Sequence, residues 1–201
     1  MLGLLSGPAL AKEITIAGIT FSDELGGFEL QSVTGQGTIE DPFVVVEKVT
    51  GPSDPTLAIR GLYYDNKNRL TTHHAVGLAI RKIAINATNR AWHNYEMELR
   101  KVLTRHSPYE DGLSFGQNSA LGISFLSSTF PFTQKTDEPQ DTLSFSGTDI
   151  LPGEQAIFNF IVTDMSPSLT LYILQRPLLP ISELSPNETN PLQGRNFHDY
   201  F

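Results

Sequence analysis

Residues 151–162 read LPGEQAIFNFIV, and this stretch decides the fold. Leu151-Pro152-Gly153-Glu154 has the composition of a tight turn, because proline presets φ and glycine accepts the left-handed region. The run behind it alternates, with Ala156, Phe158, Phe160 and Val162 on one face and Asn159 on the other. A period of two, rich in aromatic and β-branched residues, is a half-buried strand. Leu143 and Phe145 mark a strand before the turn. Asp164 to Ser168 turns the chain again, and Leu169 to Gln175 pairs with the central run. Strands joined by short turns build an antiparallel sheet.

The same reading extends towards the N-terminus. Ile14–Phe21, Phe28–Val33, Phe43–Val49 and Thr56–Leu62 are short strand candidates, separated by Gly26-Gly27, Gly35-Gln36-Gly37 and residues 50–55. The Phe43–Val49 run has so many β-branched residues that it reads as a buried strand. His74–Ile85 is the longest candidate, with Arg81-Lys82 interrupting its alternation as a β-bulge would. Residues 90–106 read two ways. As a strand, Tyr95, Met97 and Leu99 alternate with Glu96, Glu98 and Arg100; as a short helix near 90–105, Trp92, Tyr95, Leu99, Val102 and His106 form one stripe. The polar turn at 86–89 favours the strand, as one arm of a hairpin. Leu121–Ser127 is a further strand, while 107–118 and 131–141 read as loops. About ten strands at spacings of 8–15 residues predict an all-β sandwich, Ig-like or jelly-roll. It spans residues 12–177 as a single domain, followed by an irregular tail over 178–201.

Composition agrees. Of 201 residues, 39% are hydrophobic, enough for a core, and 29 are Gly or Pro, which implies many turns. There is no cysteine, so disulfides and thiolate chemistry are excluded. The net charge of −8 argues against nucleic acid, which needs a positive surface to displace counterions. The charge is uneven. Residues 60–105 carry nine Lys/Arg against three Asp/Glu, whereas 1–59 carry two against eight and 106–201 three against eleven. Either these segments neutralise each other inside the fold, or a basic patch at Arg81, Lys82, Arg100 and Lys101 meets an acidic partner, including a second copy of the chain. No run of 18 apolar residues exists to span a membrane. Residues 1–11, MLGLLSGPALA, end in the small-x-small pattern of a signal-peptidase site. They read as the remnant of a signal peptide, with the mature chain starting near Lys12 and exported to the periplasm or cell surface.

Two stretches carry a family resemblance. Residues 83–99, IAINATNRAWHNYEMEL, and residues 141–177, DTLSFSGTDILPGEQAIFNFIVTDMSPSLTLYILQRP, resemble uncharacterised exported bacterial β-sandwich domains of the kind found in PEP-CTERM-type proteins. The resemblance implies an Ig-like fold and export, and no activity.

Three constellations invite chemistry. Gly112-Leu113-Ser114-Phe115-Gly116 has the G-x-S-x-G form of a nucleophile elbow, with Asp164 and His198 following in order. Its flanks lack the strand-to-helix context, so a glycine-rich loop is the competing reading. Acidic loop residues, among them Asp41, Asp111, Asp141 and Asp164, have the oxygen donors calcium takes from loops. Tyr63, Tyr64 and Tyr109 would suit sugar stacking, whereas Trp92 belongs to the core. His73-His74 points to opposite faces of a strand and makes a poor metal pair. The function expected is therefore a non-enzymatic exported structural or interaction protein, self-associating or bound to a protein partner. A carbohydrate-binding module with a structural calcium is the first alternative, and a serine hydrolase centred on Ser114 the second.

Overall fold

A computed structural model describes residues 11–51, 54–62, 68–70, 72–116, 126–136 and 140–178. They form thirteen strands: β1 (Glu13–Ile16), β2 (Ile19–Ser22), β3 (Phe28–Thr34), β4 (Phe43–Val49), β5 (Thr56–Arg60), β6 (Val76–Asn86), β7 (Trp92–Arg100), β8 (Leu113–Phe115), β9 (Leu126–Ser127), β10 (Phe132–Thr136), β11 (Thr142–Ile150), β12 (Gln155–Asp164) and β13 (Thr170–Leu178). One sheet has the order β1-β2-β5-β13-β7-β11-β10. The other runs β3-β4-β6-β12-β8, with β9 also paired to β12. The two sheets share one apolar core, so the protein is an all-β sandwich. Named strand pairs are antiparallel apart from β4 with β6. No helix among the described residues is long and apolar enough to cross a membrane.

Three strands exceed the ten expected. Ile14–Phe21 is not one strand but the β1–β2 hairpin, folded at Ala17-Gly18 with positive φ at both (49° and 74°). That is the backbone of a type I′ turn, which Asn-Gly announces and Ala-Gly conceals. Strands β8 and β10 lie in stretches that read as loops. Each is short, polar or glycine-flanked, and is held by a longer neighbour, β12 or β11. Tertiary pairing overrides local propensity in such cases. Residues 92–100 are strand, so the short helix near 90–105 does not form; a 3-10 turn at Tyr109–Asp111 is the helical element among the described residues.

The core follows the pleat. From the first sheet come Phe21, Leu57, Ile59, Tyr95, Met97, Leu99, Leu143, Phe145, Leu171 and Ile173; from the second come Leu30, Phe43, Val45, Leu78, Ile80, Phe158, Phe160 and Val162. Each large side chain so buried contributes about 1.5–3 kcal/mol. Phe158 sits among rings, 4.7 Å from Tyr95 and 4.7 Å from Phe145 between centroids. The expected bulge at Arg81-Lys82 is absent. The β6–β12 register runs unbroken from Val76↔Asp164 to Ile85↔Gln155. The alternation persists; a lysine simply occupies an inward position.

The decisive turn is as expected. Glu154 N–H donates to Leu151 O at 3.0 Å, with Gly153 at φ 88°, the geometry of a type II turn. Asn86 clamps it from β6. Its backbone exchanges bonds with Glu154 O (2.8 Å) and Gly153 N–H (2.7 Å), and its Nδ2 donates to Arg90 O (2.8 Å) and Ile150 O (2.9 Å).

Candidate functional site

The most unusual chemistry lies inside the sandwich. Inward positions of β4 read Phe43, Val45, Glu47, Val49, and those of β6 read Ile80, Lys82, Ala84. The pleat thus points a carboxylate and an ammonium into an apolar layer. From the opposite sheet, β7 and β13 contribute Tyr95 and Gln175. All four residues are 0% exposed. Lys82 Nζ donates to Glu47 Oε1 and, at 3.2 Å, to Tyr95 Oη. Gln175 Nε2 donates to Glu47 Oε2 at 3.1 Å, and Tyr95 Oη donates to Gln175 Oε1 at 2.5 Å. Lys82 Nζ also lies 5.2 Å and 5.7 Å from the Tyr95 and Phe158 ring centroids. Burial pushes the lysine pKa down, against the opposing pull of Glu47, and pushes the Tyr95 phenol well above its ordinary value. Withdrawing an ion pair from water costs several kcal/mol per ion, so such a pair is weak evidence for stability. The sequence hid this cluster. Glu47 sits in a run that looks uniformly apolar, and Lys82 looks like surface charge.

A second network coats the outer face of the seven-stranded sheet. Arg176 on β13 reaches Glu96 and Glu98 on β7, each at 2.8 Å. Glu98 also takes Arg100 Nε at 2.7 Å and His106 Nδ1 at 2.6 Å. Burial alone would raise the Glu98 pKa, but the hydrogen bonds from Arg100, His106 and Arg176 outweigh it and hold the carboxyl at about 2.

These contacts correct the expected basic patch. Lys82 is not at the surface at all, and Arg100 is committed to Glu98 and to Leu103 O. Lys101 is committed to Asp164. Arg81 alone of the four is fully outward and exposed. Arg60 on β5 bridges Glu13 and Glu24. Arg60, Lys82 and Lys101 thus meet acids of the flanking segments within the fold, as in the neutralising alternative, whereas Arg100 pairs within its own segment.

The four candidate calcium aspartates are not gathered. Asp41 lies in the β3–β4 turn, where its carbonyl accepts from Gln36 and Gly37. Asp141 is buried beside β7, its carbonyl accepting Leu99 N–H at 3.0 Å. Asp111 and Asp164 do converge, but around an ammonium. Lys101 Nζ lies 2.8 Å from Asp164 Oδ1 and donates to Asp111 O, Ser166 O and Ser166 Oγ. The chain's own cation fills the place where a metal would be sought. Burial raises the Asp164 carboxyl pKa, more than the Lys101 contacts lower it. Among the described residues no three His, Cys, Asp or Glu gather to hold a metal.

Ser114 lies within β8, opposite Thr163 on β12, rather than on an exposed turn. It is 4% exposed, with its hydroxyl 3.5 Å from Thr163 Oγ1. His198 lies outside the described residues, as do Tyr63 and Tyr64. Trp92 is in the core and Tyr109 is 67% exposed. His93 pairs with Asp149 at 2.7 Å beside an open depression of about 520 Å³ lined by Thr129, Thr148, Asp149, Glu154 and Gln155.

The sheet edges differ in kind. Strand β1 has four residues and β8 three, and β3 shifts register between Leu30 and Ser32. Strand β10 is five residues long, pairs with β11 without a shift, and carries Phe132 at 66% exposure. Among the described residues its outer edge has no strand partner. Compared with family models, curated proteins and solved structures, the chain matches none.

Proposed function

We propose that the chain is a non-enzymatic, exported structural or interaction module that self-associates by strand addition at the β10 edge. The observation that carries this reading is the unbulged β10, in continuous register with β11, without a strand partner on its outer edge among the described residues and bearing an exposed Phe132. Edges of this kind template pairing with another chain, and natural proteins blunt them with bulges, extreme shortness or charge; β3, β1 and β8 use a register shift or shortness, whereas β10 carries a single lysine, Lys135, beside its exposed phenylalanine. Main-chain hydrogen bonds would supply affinity, and Phe132 would be buried against the second copy. Charge matching plays little part, because three of the four candidate patch residues, Lys82, Arg100 and Lys101, are already engaged within the fold. Export rests on residues 1–11, with the mature chain starting near Lys12. A carbohydrate module has less support, because the one tryptophan is core.

Light scattering after size exclusion on the chain from Lys12 onward, across a range of concentrations, tests the reading. The expected result is a mass that rises with concentration and a Phe132→Lys variant that stays monomeric. A monomer at every concentration in both proteins sinks self-association through β10.

A further inference from the structure

The buried cluster of Glu47, Lys82, Tyr95 and Gln175 is wired for a reaction between its own members. Glu47 bridges two nitrogens, accepting from Lys82 Nζ with one oxygen and from Gln175 Nε2 with the other, at 3.1 Å. Tyr95 Oη donates to the carboxamide oxygen of Gln175 at 2.5 Å. An amine, an amide polarised at its oxygen, and a carboxylate touching both the attacking and the leaving nitrogen are the parts that an amide exchange needs. All four side chains are excluded from water, which keeps competing hydrolysis away from the carboxamide. Lys82 Nζ and the Gln175 carboxamide share two partners, Glu47 and Tyr95 Oη, so the amine and the amide are held as neighbours rather than left to a bimolecular encounter.

We propose that Lys82 and Gln175 become joined by an intramolecular amide bond, with Glu47 carrying the proton and ammonia as the leaving group. Lys82 passes a proton to Glu47, and the neutral amine attacks Gln175 Cδ. The new Nζ–Cδ bond forms as the carbonyl electron pair moves onto Oε1, where the Tyr95 hydroxyl holds it. Glu47 delivers its proton to Nε2. The pair on Oε1 returns, the Cδ–Nε2 bond breaks and ammonia departs. The second amine proton passes to Glu47 and leaves with ammonia as ammonium, restoring the carboxylate. No oxidant or co-reactant is consumed. Burial, which disfavours the charged ammonium, favours the nucleophilic form of Lys82. The bond would tie β6 of one sheet to β13 of the other, so it staples the sandwich through its centre. It does not depend on the β10 edge.

The test is the intact mass of the full chain after denaturation, followed by peptide mapping. A Lys82–Gln175 bond lowers the mass by about 17 Da, the loss of one ammonia on acyl transfer to an amine. Mapping then yields one branched peptide joining the two residues, with no tryptic cleavage after Lys82. An unchanged mass overturns the proposal. So does a loss of about 18 Da with the branch at Glu47, which is water lost to a carboxylate rather than ammonia lost from the amide. Glu47→Gln, assayed with its near-ultraviolet circular dichroism intact, is expected to keep the full mass. A folded Glu47→Gln chain that still loses ammonia overturns the role given to Glu47. The mass of the native sequence decides the bond itself, whatever that variant's stability.

Discussion

Glu98 Oε2 lies 2.8 Å from Arg176 Nη2 across the β7–β13 pair, and this contact anchors the charge network on the outer face. The carboxyl is held at about 2, against an ordinary 4.5. Its folded pKa lies below its unfolded one, so the unfolded chain binds more protons between those values. The stabilisation is therefore complete above about pH 4.5 and is lost as pH falls towards 2. By linkage it amounts to about 3 kcal/mol. Denaturant unfolding of the native sequence at a series of pH values should show this acid limb. Glu98→Gln should lower stability at pH 7 and flatten the limb. An unchanged acid slope in the variant would assign the limb to other carboxyls.

Asn86 should be among the most sensitive positions in the protein. Its Nδ2 satisfies Arg90 O and Ile150 O, and its Oδ1 accepts from Thr88 N–H and Oγ1. Asn86→Ala strands several buried groups at once, at a cost of about 2–4 kcal/mol. Thermal unfolding measures it; a cost below about 0.5 kcal/mol would mean that water replaces the clamp.

Ala17 points the other way. It holds φ 49° with a Cβ, a conformation that costs an ordinary L-residue about 1–2 kcal/mol. Ala17→Asn restores the preferred Asn-Gly pair of a type I′ turn and should stabilise by about 1 kcal/mol. A fall in unfolding midpoint would show that the Ala17 methyl's packing on the core matters more than its backbone strain.

Ser114→Ala should leave hydrolysis of activated esters at the background of the native chain. Its only hydroxyl contact among the described residues is Thr163 at 3.5 Å, so the stability change should stay within about 1 kcal/mol. Ester turnover that vanishes in the variant would reinstate Ser114 as a nucleophile.

The sandwich was legible because turn chemistry brackets β11, β12 and β13 and large apolar residues recur at every second position within them: Leu143 and Phe145, Phe158, Phe160 and Val162, Leu171 and Ile173. Legibility failed where pairing rather than pattern makes the strand. Strand β10 reads FTQKT and is strand because β11 lies beside it. It failed again where polarity and burial part company. Charge in a sequence argues for solvent, yet Glu47 and Lys82 are fully buried because each supplies the other's counter-charge. Their partnership spans 35 positions and becomes visible only when β4 and β6 lie side by side. The basic segment misled for the same reason: sequence counts charges but cannot say which are already neutralised.

Strand β13 enters the seven-stranded sheet between β5 and β7. Before residues 170–178 are in place, β1-β2-β5 and β7-β11-β10 are two separate ribbons without a shared partner strand, and each presents a raw inner margin. A ribosome makes this keystone after every other described strand, so the seven-stranded sheet cannot close until residues 170–178 have emerged. A stop before Thr170 would leave two sticky half-sheets rather than a smaller sandwich.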